Sequence, residues 1–136
     1  MKFKLLDPDC VPYKKYPTDA GYDLKSSRDI WIAPGETVMI GAGVAVEIPK
    51  GYVGDIRPRS STSLNGLVLP VGTVDHGYTG EIGIIVINVK HVPVQIHRGD
   101  RIAQLVVTPC IAESVGVVDE LPKSLRGRDG FGSTGR

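Results

Sequence analysis

Short apolar alternations dominate this chain, and no segment sustains the 3.6-residue period of an amphipathic helix. Phe3–Leu6 reads as a first strand closed by Asp7-Pro8. Tyr16–Leu24 gathers small residues around an Asp that enters a short strand, and Asp29–Ala33 sets Ile30 and Ile32 against Trp31 in a two-sided strand pattern. After the turn at Pro34-Gly35, Glu36–Ile40 and Val44–Ile48 read as two strands separated by Gly41-Ala42-Gly43. Pro49-Lys50-Gly51 ends the second, and Tyr52–Arg57 is a further strand stopped by Pro58. Ser60–Asn65 is the one short helix, with Ser60 or Ser61 as its cap, Leu64 as its apolar contact and Asn65-Gly66 as its end. Leu67–Val74 reads as a hairpin arm that Pro70 and Gly72 confine to an edge. Gly80–Val89 carries the β-branched composition of a buried strand. Val92–Ile96, Arg101–Thr108 and Ser114–Val118 complete the series, with His97–Asp100 as a turn. Many short strands at regular spacing predict an all-β barrel or sandwich.

Composition narrows the picture. A chain of 136 residues suits one domain with a genuine core, and its 17 glycines and 10 prolines suit short strands joined by turns. A formal charge of +1 with scattered basic residues excludes the electrostatic footprint of a polymeric nucleic-acid binder, but leaves room for a small anionic ligand. No apolar run approaches the roughly 18–20 residues of a membrane helix. The N-terminus is too charged and too short in apolar content for a signal peptide. Cys10 and Cys110 fit no metal or redox spacing and read as two reduced thiols of a cytosolic protein. His76, His91 and His97 show no zinc-ligand spacing, and His76 reads as a solvent-facing turn residue.

Two stretches carry candidate chemistry. Gly72–Glu81 places Asp75 at a tight turn before a stiff strand, with Tyr78 three residues on. Such a carboxylate is either held to position a water or a sugar hydroxyl, or accepts a hydrogen bond from its own turn. The residues alone leave both readings open. From Lys123 the chain is too glycine-rich for a strand, yet sets Phe131 among glycines with Arg126, Ser133 and Thr134 nearby. Glycines permit close backbone approach, hydroxyls and amides bind phosphate oxygens, and a lone ring can stack on a base. This tail looks like a nucleotide lid that orders on binding.

Five separated stretches then match one family in order: Ala20–Leu24, Pro58–Ser61, Gly72–Glu81, Gly99–Leu105 and Arg126–Gly135. Through them the chain resembles the homotrimeric deoxyuridine triphosphate nucleotidohydrolases (dUTPases). The resemblance implies a jelly-roll-like, distorted β-barrel over residues 1–122, with one short helix. Residues 123–136 would be a flexible glycine-rich arm that closes on the nucleotide. The implied reaction is attack of an Asp75-activated water on the α-phosphorus of dUTP, giving dUMP and pyrophosphate. That chemistry keeps uracil out of DNA and supplies dUMP for thymidylate synthesis. Arg59, Ser60 and Ser61 would hold phosphates, Ser61 standing where relatives often have Gly. Gln104 would be a polar contact near them or an interface hydrogen-bonder. Asp75 would also bond the sugar 3′-hydroxyl, and Tyr78 would pack beneath the deoxyribose and exclude a ribose 2′-hydroxyl.

Uracil would be read by the backbone of Leu69, Gly72, Thr73 and Val74. Two mismatched main-chain groups at about 1–3 kcal/mol each would reject cytosine. Leu69 stands where some relatives carry Asn, which leaves base readout to the main chain. Gly83, inside a β-branched strand, points to a close approach there. Arg126 would meet the γ-phosphate, Phe131 would cover the base, and Gly132, Ser133 and Thr134 would grip phosphate oxygens. Asp129 replaces a family glycine in this arm. Mg²⁺ would enter through the triphosphate and water with no direct protein ligand, Asp23 being at most an outer-shell contact. The resemblance further implies a homotrimer with active sites at subunit interfaces. It places the protein in the cytoplasm, or the host cytoplasm for a viral source. Two alternatives share the fold: a dCTP deaminase-like enzyme and a non-enzymatic nucleotide-binding regulatory module.

Overall fold

Alternation between buried and open side chains shapes almost every element of the computed structural model, which describes residues 1–125 and 127. In chain order these are β1 (Lys2–Leu5), β2 (Gly21–Lys25), β3 (Ile30–Ile32), β4 (Thr37–Glu47), β5 (Tyr52–Pro58), α1 (Ser60–Leu64), β6 (Leu67–Val68), β7 (Gly72–Val74), β8 (Glu81–Asn88), β9 (Val94–Ile96) and β10 (Arg101–Pro109). One sheet runs β1-β4-β8-β6, a second runs β2-β10-β5-β7, and β3 pairs with β9 alone. Every pairing is antiparallel. One core joins them: Ile40, Val44 and Ile84 from the first sheet, Leu24, Ile56 and Leu105 from the second, and Ile32 and Ile96 from the small pair. The architecture is all-β and jelly-roll-like, with a single short helix among the described residues.

Four expectations need correction. Gly41-Ala42-Gly43 does not divide two strands. β4 runs through it with a bulge, four positions from Gly41 to Ala45 facing the two from Gly83 to Glu81. Gly43 sits in the left-handed region at φ 64°, its N–H donates to Glu81 Oε1 at 2.8 Å, and its carbonyl accepts from Leu6 and Asp7 N–H at 2.8 and 2.9 Å. Here glycine supplies a backbone conformation that lets the bulge dock the N-terminal segment. Leu67–Val74 is not one arm: β6 edges the first sheet and β7 edges the second, so the segment crosses between them at Leu69–Val71. Its edge placement stands.

α1 has Arg59 at its N-cap and no capping side-chain bond. Leu64 is exposed, and the inward contact is Thr62, whose hydroxyl donates to the Ile102 carbonyl at 3.0 Å. A single turn has one inward position, and Thr62 occupies it. Ser114–Val118 forms no strand; Val115 and Val117 are exposed, with no sheet edge recorded beside them among the described residues. β8, for its part, buries Ile82, Ile84, Val86 and Asn88 but leaves Ile85 exposed beside Met39 of β4, so only one of its faces belongs to this chain's core.

The N-terminal segment is pinned to the β9–β10 turn by charge. Arg98 spans both oxygens of Asp7, at 3.0 and 2.6 Å, and reaches Asp9 at 2.9 Å. That hydrogen-bonded guanidinium holds the Asp7 carboxyl below its ordinary range, while burial pushes the neighbouring Cys10 thiol up.

Candidate active site

Strand register brings one set of candidates together. Asp23 on β2 and Arg57 on β5 both pair with Gln104 on β10, so the three share a row across the second sheet. Pro58 ends β5 and releases Arg59 toward this row. Arg59 Nε donates to Asp23 Oδ1 at 2.9 Å, and its Nη1 donates to the Arg101 carbonyl at 2.8 Å and to Ser61 Oγ at 3.4 Å. Arg101 takes the other Asp23 oxygen at 3.2 Å and lays its guanidinium 5.1 Å from the Tyr13 ring centroid. Asp23 therefore divides one carboxylate between two guanidiniums and leaves the cluster with an excess positive charge. Gln104 Nε2 donates to the Pro58 carbonyl at 3.0 Å. A Cβ at Gly21 would lie 2.8 Å from Gln104 Oε1, so the glycine of the first motif makes room for the glutamine of the fourth.

These groups open onto a cavity of about 460 Å³ lined by Tyr13, Lys15, Tyr16, Asp23, Arg59, Arg101 and Gln104, among others. Cationic, polar and partly enclosed, it suits an anion. Ser60, at the start of α1, is exposed next to Arg59.

The second set surrounds Asp75, which follows the last residue of β7. Its backbone carbonyl accepts from Tyr78 N–H at 3.2 Å, and Gly77 at φ 90° fits the third position of a type II turn. Tyr78 Oη donates to the Glu81 carbonyl at 2.9 Å, and its ring lies so close over Gly80 that a Cβ there would meet Cζ at 2.7 Å. The Asp75 side chain is exposed and makes no hydrogen bond among the described residues. Of the two readings open for it, the turn-accepting one is not what the geometry displays, because the main-chain carbonyl closes the turn.

Gly72 is half-buried, Thr73 exposed and Val74 buried, while the Leu69 side chain is turned into the core. The approach that Gly83 permits is by the Met39 thioether, 2.9 Å from where a Cβ would stand. His76 is exposed, as expected, but not idle: its Nδ1 lies 2.7 Å from the Ile48 carbonyl.

The two sets stand apart. Val74 pairs with Gly54, and Gly54 with Val107, so Asp75 lies two strands across and four residues along from Gln104. At about 4.8 Å per strand and about 3.3 Å per residue, their backbones are separated by roughly 16 Å. Side chains rise off a sheet, not along it, so one copy does not focus both sets on one reacting atom. Arg126, Phe131, Gly132, Ser133 and Thr134 lie outside the described residues.

Among the described residues no three His, Cys, Asp or Glu side chains gather to hold a metal ion. Each Asp23 oxygen keeps a lone pair beyond its arginine, which is compatible with a water-mediated contact to a phosphate-bound ion. No helix among the described residues is long and apolar enough to cross a membrane. The parts played by Arg101 and Tyr13 and the His76 contact are not evident from residue type. Arg101 lies within the Gly99–Leu105 motif, whereas the partners of the other two are backbone groups or cations distant in sequence.

Comparison with known proteins sharpens this. A family model described as dUTPase matches residues 8–135. A deoxyuridine 5′-triphosphate nucleotidohydrolase from Anaeromyxobacter sp. (strain Fw109-5) is 44% identical over 127 residues, covering 90% of this chain and 86% of the relative. A mutant dUTPase of Staphylococcus bacteriophage 80alpha, solved with dUpNHpp, superposes with a TM-score of 0.92 at 33% identity, over 99% of this chain and 98% of that one. A mutant dUTPase from phage phi11 of S. aureus, described with a coordinated structural Mg(II) ion, gives a TM-score of 0.84 at 31% identity, over 90% and 98%.

Proposed function

The chain belongs to the dUTPase family and is a dUTP diphosphatase, and from that premise we propose that its reaction runs on a site completed by further copies of the chain. The observation that carries this is the separation of Asp75 from the Arg59–Asp23–Gln104 row. Each group is chemically ready, yet the two lie about 16 Å apart along one sheet by strand geometry. A homotrimer in which one copy's Asp75 turn faces another's arginine cavity brings them together. The open apolar face formed by Met39, Ile85 and Val68 on the first sheet is in keeping with such an assembly.

In that site the Asp75 carboxylate accepts a proton from a water, which attacks the α-phosphorus. The α–β bridging oxygen leaves with pyrophosphate, and dUMP remains. Arg59, Ser60, Ser61 and Gln104 stabilise the phosphate charge, with Asp23 and Arg101 holding the Arg59 fork in place. Tyr78, fixed by Glu81 and Gly80, fills the space of a ribose 2′-hydroxyl. Main-chain groups around Leu69–Val74 read uracil, which agrees with Leu69 spending its side chain on the core. Gly83 has its place through Met39 and is at most an indirect contributor to the pocket. Residues 123–136 form an arm that closes over the nucleotide, Arg126 on the γ-phosphate, Phe131 on the base and Gly132–Thr134 on phosphate oxygens. Mg²⁺ bound on the triphosphate would supply charge neutralisation, with Asp23 as a water-mediated contact. The cytoplasm, where nucleotides are made and used, is the proposed location.

Side-by-side turnover of dUTP, dCTP, dTTP and UTP tests the reading. Pyrophosphate release from dUTP at least about a hundredfold faster than from dCTP is expected, since two unpaired buried groups cost about 1–3 kcal/mol each. Slower release is also expected from dTTP, whose methyl group a close-fitting Leu69–Val74 segment excludes, and from UTP, whose 2′-hydroxyl meets Tyr78. Ammonia release from dCTP, or binding of dUTP without turnover, would replace it with one of the two alternatives.

A further inference from the structure

The turn that carries the base is tied to the core by a side chain. Asp75–Tyr78 is closed by one main-chain bond of 3.2 Å, long for its type, and all four of its residues are exposed. Its corner is formed by His76 and Gly77. His76 occupies that corner, directly after Asp75, and its Nδ1 lies 2.7 Å from the Ile48 carbonyl, 28 residues away in sequence. Ile48 is fully buried. It also precedes Pro49, which restricts its backbone to extended conformations, so the carbonyl is a fixed acceptor.

We propose that His76 is a positioning residue: its imidazole holds the Asp75 turn against the Ile48 carbonyl, so that the carboxylate meets the attacking water in one orientation. The inference rests on Asp75 being the general base. A carbonyl only accepts, so the proton belongs to Nδ1, in the neutral Nδ1–H tautomer or in the imidazolium. Protonation of the ring therefore leaves the anchor in place. Nε2 takes no part. Catalysis is sensitive to such a tether because a misplacement of about 1 Å costs up to about 10²-fold in rate.

The test compares His76→Ala, His76→Asn, His76→Gln and Asp75→Asn with the parent by kcat, KM for dUTP and melting temperature. An asparagine amide stands the same number of bonds from the backbone as Nδ1, whereas a glutamine amide stands one bond further out. His76→Ala and His76→Gln should lower kcat by about 10–10²-fold, with little change in KM, and His76→Asn should restore most of it. Because the turn is exposed, all three should melt close to the parent. Turnover of His76→Ala within threefold of the parent overturns the proposal, as does equal impairment of the Ala, Asn and Gln variants. Nitrogen-15 resonances of the His76 ring give an independent reading. A proton on Nδ1 is expected, and a bare Nδ1 in the neutral ring also overturns it. If Asp75→Asn keeps its turnover, the base assignment fails, and the ring tautomer alone decides whether the anchor exists.

Discussion

Asp7, Asp19 and Asp100 each spend a carboxylate oxygen on a nearby backbone N–H, of Asp9, Tyr16 and His97, at 3.0, 2.9 and 2.8 Å. Asp75 leaves that task to its main-chain carbonyl, and its carboxylate faces solvent. Asp75→Asn keeps the shape and a hydrogen-bonding group for the sugar but cannot take a proton. Turnover should fall by about 10²–10⁴-fold, with the affinity for a non-hydrolysable dUTP analogue nearly intact. Pyrophosphate release and calorimetric titration measure the two, and turnover within threefold of the parent would remove Asp75 from the role of base. Tyr78→Ala empties the space assigned against a ribose. Its kcat/KM ratio of UTP to dUTP should rise, and an unchanged ratio would confine the ring to holding Gly80 and Glu81. Both residues stand out in the sequence as candidates because motif order carries them. His76 does not, since a carbonyl acceptor 28 positions away leaves no mark on residue type.

β4 is where sequence pattern and structure part most instructively. Two glycines in three residues signal a broken strand and a bulged strand equally well. What decides is Glu81, whose carboxylate receives the Gly43 N–H, and the N-terminal segment, whose amides use the Gly43 carbonyl. Long-range partners of this kind also explain the split of Leu67–Val74 between two sheets. The strand positions themselves followed from alternation and turn residues, and so were readable. Gly43→Ala should cost about 1–3 kcal/mol from its left-handed backbone alone. A clash adds to this, because the new Cβ would lie 2.7 Å from that of Cys10. Denaturant unfolding measures it, and an unchanged midpoint would show that the bulge relaxes without strain.

At the scale of the whole molecule the candidate groups stand in separated places. Ile111, Val115, Val117 and Leu121 are exposed, with no sheet edge beside them among the described residues, and the sequence beyond Leu125 has almost no apolar content. A chain ending at Leu125 should therefore keep its melting temperature and oligomeric state, measured by scanning fluorimetry and light scattering, yet turn over dUTP very poorly. Retained turnover would leave the arm without a catalytic part. The separation of Asp75 from the Arg59 row asks for a more direct test. Asp75→Asn and Arg59→Ala chains, each nearly inactive alone, are mixed under conditions that exchange subunits, and exchange is verified by mass. If sites form between copies, some mixed assemblies join the intact Asp75 of one chain to the intact Arg59 of the other. Pyrophosphate release from dUTP then reappears at a sizeable fraction of the parent rate. Verified exchange with no recovered release would contradict the shared site and place Asp75 and Arg59 in one copy's pocket.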